Sequence, residues 1–397
     1  MRIKIIQYFL KISENKYSKI FLCNFEIEIN IMHPELIYQI ALTKISGVGD
    51  ISAKNLISYC GSAEEVFKVK KTFLEKIPGI GKITAESIKH FNNFNVIEKE
   101  IKILEKHKIT PLYYLNEAYP FRLKNCEDSP IMLYYKGNSN LNQQRIISIV
   151  GTRNATVYGK QFTEQLCEAL SPYNVLIISG LASGTDTNVH KFCLKNSVET
   201  VGVLAHGLHT IYPAANRNLA IEMLGKGGLL TEFAYDTPGM KENFPKRNRI
   251  VAGMSDALII IESGKKGGSL ISAEIANSYN KDVYALPGRY TDTWSIGCNN
   301  LIQQNKAAII DSIDQLIFNL GYNDTKKINK DSQLKLLENL SESELVVTNI
   351  LKNGEKGIDD LHFETKINVS QLAFILLDLE FKNIVYSLPG KMYGIHQ

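Results

Sequence analysis

From residue 145 to 320 the chain alternates short apolar runs with longer amphipathic segments. Runs of strand length fall at 146–150 (IISIV), 175–178 (VLII), 201–205 (VGVLA), 229–233 (LLTEF), 257–261 (ALIII) and 283–286 (VYAL). Segments of helix length lie between them, at 157–170, 185–195, 215–225 and 269–280. Nearly continuous apolar strands alternating with helices predict a mostly parallel sheet covered on both faces. The expected fold class is therefore α/β, with a Rossmann-like doubly wound domain at its centre.

The flanks follow other patterns. Residues 1–31 are rich in Ile, Lys and Asn without a clear period, and read either as an atypical N-terminal extension or as an ordinary pair of strands. A helical domain is expected over 32–108. Inside it, Ile45–Leu56 repeats as Ile77–Ile88 in the form I-x-G-h-G-x-I-x-A-x-x-h, where h is apolar. Two glycines around one apolar residue suit a tight turn between helices, and the Ala lets the second helix pack closely. The pattern resembles a tandem helix-hairpin-helix, whose exposed N–H groups can hold a phosphate. It also fits a helical packing module with no ligand. An amphipathic helix over 97–108 leads into a loop-rich connection, and the α/β domain with this lead-in spans 109–320. Residues 321–340 are polar and read as a linker. In the tail, 341–397, Ser341 and Glu344 predict a capping box. Helices over 357–365 and Asn368–Phe381 precede two strands flanking Pro389-Gly390. That order resembles a winged helix, and equally suits a small dimerisation module.

Composition changes this picture little. The 397 residues carry 45 Lys and Arg against 41 Asp and Glu, a formal charge of +4. So small a surplus points to a polyanion only where it is concentrated. The six Cys stand at 23, 60, 126, 167, 193 and 298, with no C-x-x-C pair, so neither a disulfide framework nor a metal site is expected. No apolar run approaches the roughly 18 residues of a membrane span. The N-terminus lacks a cleavage site, and a cytoplasmic location is expected.

The strand ends carry the chemistry. The first leads into Gly151-Thr-Arg153-Asn-Ala-Thr156, where Gly151 permits a sharp turn, Arg153 offers a fork of donors and Thr156 can cap a helix. The second leads into Ser179-Gly180-Leu-Ala-Ser183-Gly184-Thr-Asp186, a cradle of small residues that suits either phosphate or close packing. Asp186 and His190 are one helical turn apart, and read as a capping Asp and a hydrogen-bonded His in preference to an acid–base pair. Ser183 lacks the G-x-S-x-G frame of a hydrolase nucleophile. Phe244-Pro-Lys246-Arg247-Asn-Arg249 puts three cations and a ring ahead of an apolar helix, a surface suited to phosphates and a stacked base. Gly267, Gly268 and Ser269 form another Gly-rich anion cradle at a helix start. No G-x-G-x-x-G or G-x-x-x-x-G-K-[ST] occurs, so no nucleotide cofactor is expected.

Taken together, G-T-R-x-x-T-x-Y-G (151–159), S-G-L-A-S-G-T-D (179–186), G-L-x-x-x-Y-P-x-x-N (207–216), F-P-x-R-N-R-I-x-A-G (244–253), G-S-L-I-S-A-E-x-A (268–276), A-L-P-G (285–288) and S-I-G-C-N-N-L-I (295–302) resemble the DprA/Smf family. The resemblance implies a DNA-processing protein of natural transformation. Such proteins bind and protect single-stranded DNA, load the RecA recombinase and work as homodimers. It assigns DNA contacts to Gly151, Arg153, the Gly180–Gly184 loop, Phe244, Lys246, Arg247 and Arg249. Many members carry a Lys after the Tyr-Pro pair. Here Ala214 and Ala215 follow Tyr212-Pro213, and the nearest cation is Arg217. The competing reading is an enzyme, a lysine-decarboxylase-like nucleotide N-glycosidase. Gly267-Gly268 and Glu274 keep that family's P-G-G-x-G-T-x-x-E spacing, but Lys266, Leu270 and Ile271 break its catalytic loop.

Overall fold

A computed structural model describes residues 35–322 and, apart from 353, 383 and 389–391, residues 340–395. The expectations for 1–31, for most of the linker and for the Pro389-Gly390 turn lie outside these residues. The chain divides into two compact units after Tyr322.

The first unit is built on a nine-stranded sheet. Its strands are β1 (Thr110–Tyr113), β2 (Met132–Gly137), β3 (Ile146–Val150), β4 (Leu176–Ser179), β5 (Glu199–Val203), β6 (Gly227–Thr231), β7 (Ala257–Ile260), β8 (Asp282–Ala285) and β9 (Ala308–Ile309). They lie in the order β1-β2-β6-β5-β4-β3-β7-β8-β9. All pairs from β6 to β9 are parallel, and β1 and β2 add an antiparallel edge. Alternate residues of each strand feed two cores. Ile146, Val150, Leu258 and Ile260 pack on one face, and Ile147, Ile149, Ala257 and Ile259 on the other. The chain winds outward from β3 through β6, then returns to β7 on the other side of β3. The switch point of the sheet therefore lies between β3 and β7.

The helical segment precedes this sheet. Residues 35–44 form α1, followed by α2 (Asp50–Cys60), α3 (Ala63–Lys68), α4 (Lys71–Leu74), α5 (Lys82–Lys89) and α6 (Phe94–Lys106). Both repeats fold alike. Gly47 and Gly79 take φ of +81° and +82°, a region that favours Gly. Val48 N–H donates to Ile45 O at 3.1 Å, and Ile80 N–H to Ile77 O at 3.0 Å. Ala53 and Ala85, the small positions of the pattern, are buried. The helices share a core with Tyr113, Ile131, Met132 and Tyr134 of the antiparallel edge. One hydrophobic cluster thus runs across the expected boundary at 108, within one compact unit.

Polar contacts fasten the first hairpin to the sheet. Asp50, the first residue of α2, accepts from Ile131 N–H at 3.0 Å and from Arg249 at 3.0 Å. Lys54 donates to Glu127 O at 2.8 Å and Ser129 Oγ at 2.7 Å. Arg249 also pairs with Glu232. Its side chain is 11% exposed, as is that of Glu232.

The second unit contains α-helices Glu342–Leu351, Ile358–Thr365 and Val369–Phe381, with a three-stranded antiparallel sheet of Lys356–Gly357, Val385–Leu388 and Met392–Ile395. The Ser341–Glu344 capping box forms as the spacing predicted. Three helices with a small antiparallel sheet are the elements expected of a winged helix.

Replacing Arg249 by Met leaves Glu232 buried beside Asp50 without its counter-charge. Breaking such a pair costs about 3 kcal/mol, near the low end for buried pairs because Asp50 is partly solvated. Burial already raises the Glu232 pKa, with Arg249 opposing. In the variant it rises further, so the folded state holds a proton that the unfolded state releases, and stability falls as pH rises above the ordinary Glu value. Urea midpoints are expected to drop more at about pH 8 than at about pH 5.

Candidate nucleic-acid interface

Three parallel strands end at the switch point, and each feeds a helix: β3 into α7 (Val157–Leu170), β4 into α8 (Thr185–Lys195) and β7 into α9 (Gly268–Ser278). The C-terminal edge of an open α/β sheet at its switch point is where such folds bind ligands. A cleft of about 350 Å³ opens there, lined by residues of all three connections and by Phe244, Arg247, Asn248, Val251 and Trp294.

The helix N-termini favour anions, and the chain supplies two of its own. Glu262, two residues past β7, accepts from Thr156 N–H at 2.9 Å and from Thr156 Oγ1 at 2.5 Å, at the start of α7. Thr156 also caps that helix, as predicted, by accepting from Gly159 N–H. Asp186, in the first turn of α8, accepts from Ala182 N–H at 3.2 Å. The start of α9 is different: its N-cap is Gly267, no side chain caps it, and its first turn holds no acid. Exposed Lys265 and Lys266 immediately precede it. This N-terminus is open to an anion from outside.

Helix register sorts the cations of 244–249. The sequence placed this segment in a connection ahead of a helix, but it is itself helical, as α10 (Asn243–Gly253). Pro245 is tolerated because it lies in the first turn. Phe244, Arg247, Asn248 and Val251 follow an i, i+3, i+4, i+7 stripe and line the cleft. Lys246 points away, into a separate groove with Asp50 and Glu232. Arg249 is the fastener of the helical segment described above and lines neither cavity. The expected patch of three adjacent cations is thus divided among three places.

Arg247 forms the floor of the cleft and is itself buried. It donates to Val203 O at 2.7 Å, to Asn248 Oδ1 at 3.1 Å and to Gly180 O. Burial lowers its pKa and the nearby Asp186 raises it; burial raises that of Asp186 and Arg247 lowers it. The two offset each other beneath the cleft. Gly180 is required by this arrangement, since a Cβ there would lie 2.0 Å from Arg247 Nη1.

Arg153 is exposed at the mouth of the cleft and forms no ion pair among the described residues. Its guanidinium lies 5.5 Å from the centre of the Phe244 ring. Phe244 in turn meets Tyr212 edge-on at 6.2 Å. A smaller adjoining cavity shares Arg153, Gly180 and Phe244 and adds Ser183, His206 and Tyr212.

Of the predicted site residues, Gly151, Arg153, Gly180, Phe244, Arg247, Gly268 and Ser269 meet in the main cleft, and Ser183 in its annex. Gly184 and the exposed Arg217 line neither. Gly184 instead supports the loop, where a Cβ would lie 2.4 Å from Arg153 O. His190 follows its structural reading, whereas Asp186 does not cap α8: it lies within the first turn and accepts from Ala182 N–H of the preceding loop. His190 is buried, bonded to Thr200 Oγ1 at 2.7 Å, and pushed down to about 3 by burial. Glu274 lies outside the cleft, 56% exposed and paired with Lys306 at 2.6 Å. Trp294 and Lys266 were not among the predicted contacts. The available signal for Trp294 was that it is the chain's one Trp, in the loop after a parallel strand.

Residues 40–90 match the SAM-like helix-hairpin-helix tandem. Residues 110–321, more than half of the chain, match the family described as DNA recombination-mediator protein A. The chain belongs to this family. Within it, Protein Smf of Synechocystis sp. is 35% identical over 295 residues, which cover 72% of this chain and 73% of that protein. The DNA processing protein DprA of Bacillus subtilis is 41% identical over 195 residues, 49% of this chain and 66% of its own. Among solved structures, the X-ray structure of DprA from Streptococcus pneumoniae is similar with a TM-score of 0.62 at 29% identity, covering 71% of this chain and 96% of that one. Among the described residues no helix is long and apolar enough to cross a membrane, and no cluster of His, Cys, Asp and Glu could hold a metal ion.

Gly180→Ala drives a methyl into a guanidinium fixed by two carbonyls. Overpacking of this kind costs roughly 1–3 kcal/mol. A drop in thermal midpoint of matching size is expected, and weaker ligand binding with it.

Proposed function

We propose that the switch-point cleft binds single-stranded DNA, and that the chain acts as a recombination mediator, not as an enzyme. The observation that carries this reading is the open N-terminus of α9 facing Arg153 and Lys266, with Phe244 and Trp294 beside them. Cationic side chains and free N–H groups suit phosphates, and the half-buried rings of Phe244 and Trp294 that line the cleft suit unpaired bases whatever their identity. A cleft of about 350 Å³ is in the size range of small-ligand sites and too small for a duplex. The names of the relatives, DNA processing protein among them, agree with this ligand. The finer reading is that the chain, as a homodimer, protects incoming DNA during natural transformation and loads RecA onto it. That part rests on the family resemblance.

The enzymatic alternative draws on the Gly267-Gly268…Glu274 spacing. The pairing of Glu274 with Lys306, outside the cleft, weighs against a catalytic role. Incubation with AMP is expected to release no free base, and base release abolished by Glu274→Ala would favour the enzyme.

Charge and stacking contributions separate by their salt dependence. Arg153→Ala and Lys266→Ala are each expected to weaken oligo-dT binding about 10–100-fold, as for a lost charged hydrogen bond. Each should also reduce the slope of log K against log salt by about 0.7, the value for one single-strand phosphate. Phe244→Ala removes about 1–3 kcal/mol of stacking and leaves that slope unchanged. Wild-type affinities and slopes in all three variants would refute the cleft as the site.

A further inference from the structure

We propose that the loop 286–295, following β8, carries a second base-stacking platform that extends the single-strand track beyond the cleft, with Tyr290 as the ring and Arg289 as its phosphate contact. The inference rests on the cleft being the DNA site.

The loop emerges on the correct side. β8 is parallel to β7 and adjacent to it, so its C-terminal connection leaves the same sheet edge as the cleft. Trp294, at the far end of this loop, already lines the cleft, and its carbonyl accepts from Ser263 N–H at 2.7 Å. Two successive turns join Trp294 to Tyr290: Asp292 N–H donates to Arg289 O at 3.0 Å, and Ser295 N–H to Asp292 O at 2.9 Å.

The loop is also firmly held. Asn299 spans Gly288, accepting from its N–H at 3.2 Å and donating to its carbonyl at 2.9 Å. Tyr158 Oη donates to Pro287 O at 3.0 Å. On this fixed support Tyr290 is 89% exposed, with no ring contact among the described residues. Arg289 is exposed and forms no ion pair among them. Among the described residues neither side chain takes part in a hydrogen bond, an ion pair or a ring contact. An exposed aromatic on a fixed backbone beside a free guanidinium is the pair of groups that single-strand binding uses.

The two platforms give the track a length. Tyr212 and Phe244 stand on the β5 side of the cleft, and Trp294 and Tyr290 on the β8 side. From β5 to β8 there are four strand spacings, about 19 Å at the usual separation. A strand laid along that edge would meet Phe244 and Arg153 first, then Lys266 and Trp294, and Arg289 and Tyr290 last.

The test is oligo-dT binding by the full chain as a function of oligonucleotide length, with trimers at one end and about ten nucleotides, within the usual site sizes, at the other. Tyr290→Ala should bind the trimer like the wild type and fall behind by about 5–150-fold at the longer lengths, the equivalent of one lost stacked base. Tyr290→Phe should restore the wild-type curve. Arg289→Ala should lower the salt slope by about 0.7 on long oligonucleotides only. If Tyr290→Ala and Arg289→Ala follow the wild type at every length while Arg153→Ala binds weakly, the extension is wrong and the cleft stands. If Arg153→Ala also binds normally, the cleft assignment fails and the extension with it.

Discussion

Three helices direct their N-termini at the cleft, and their partial positive charges must be met there by something. Two are met from within, by Glu262 at α7 and Asp186 at α8. The third, at α9, begins Gly267-Gly268 without a cap or an acid. The rest of the site depends on this division. The internal carboxylates hold the β3 and β4 connections rigidly around the cleft, and Arg247 beneath them balances Asp186 and ties the ends of β4 and β5 to α10. An anion from outside is left one helix N-terminus and the exposed cations beside it.

The same economy governs the basic residues. A net charge of +4 suggests little about the partner, and the local cluster at 246–249 suggests more than it delivers. Once that segment is helical, residues one apart face directions about 100° away from each other. Arg247 becomes part of the floor, Arg249 joins the helical segment to the sheet, and Lys246 faces another groove. The cations that remain free at the cleft, Arg153 and Lys266, come from two different loops. The paired hairpins divide their work in a similar way. The first is fixed through Asp50 and Lys54, whereas Lys82 and Ile83 of the second are exposed.

Much of this was legible in the sequence. Periodicity gave α7 and α8 at their observed bounds, and Thr156 and Ser341 marked their helix starts because capping is local chemistry. The Gly-rich strand ends identified the cleft, since only small residues let backbone and ligand approach at a switch point. What could not be read was the fate of individual charges. Arg249 meets Asp50 from 199 residues away, and Glu262 meets Thr156 from 106 residues away. Such pairings are fixed by the packed fold, and neighbours in sequence carry no trace of them. Lys246, Arg247 and Arg249 look equivalent along the chain and differ only through helix register.

Trp294 is the one tryptophan of the chain and lines the cleft. Its fluorescence therefore reports on the proposed site. Oligo-dT should change the emission along a saturating curve that coincides with anisotropy of the labelled strand, and Arg153→Ala should shift both curves together. Binding seen by anisotropy with Trp294 emission unchanged would place the DNA elsewhere and contradict the account.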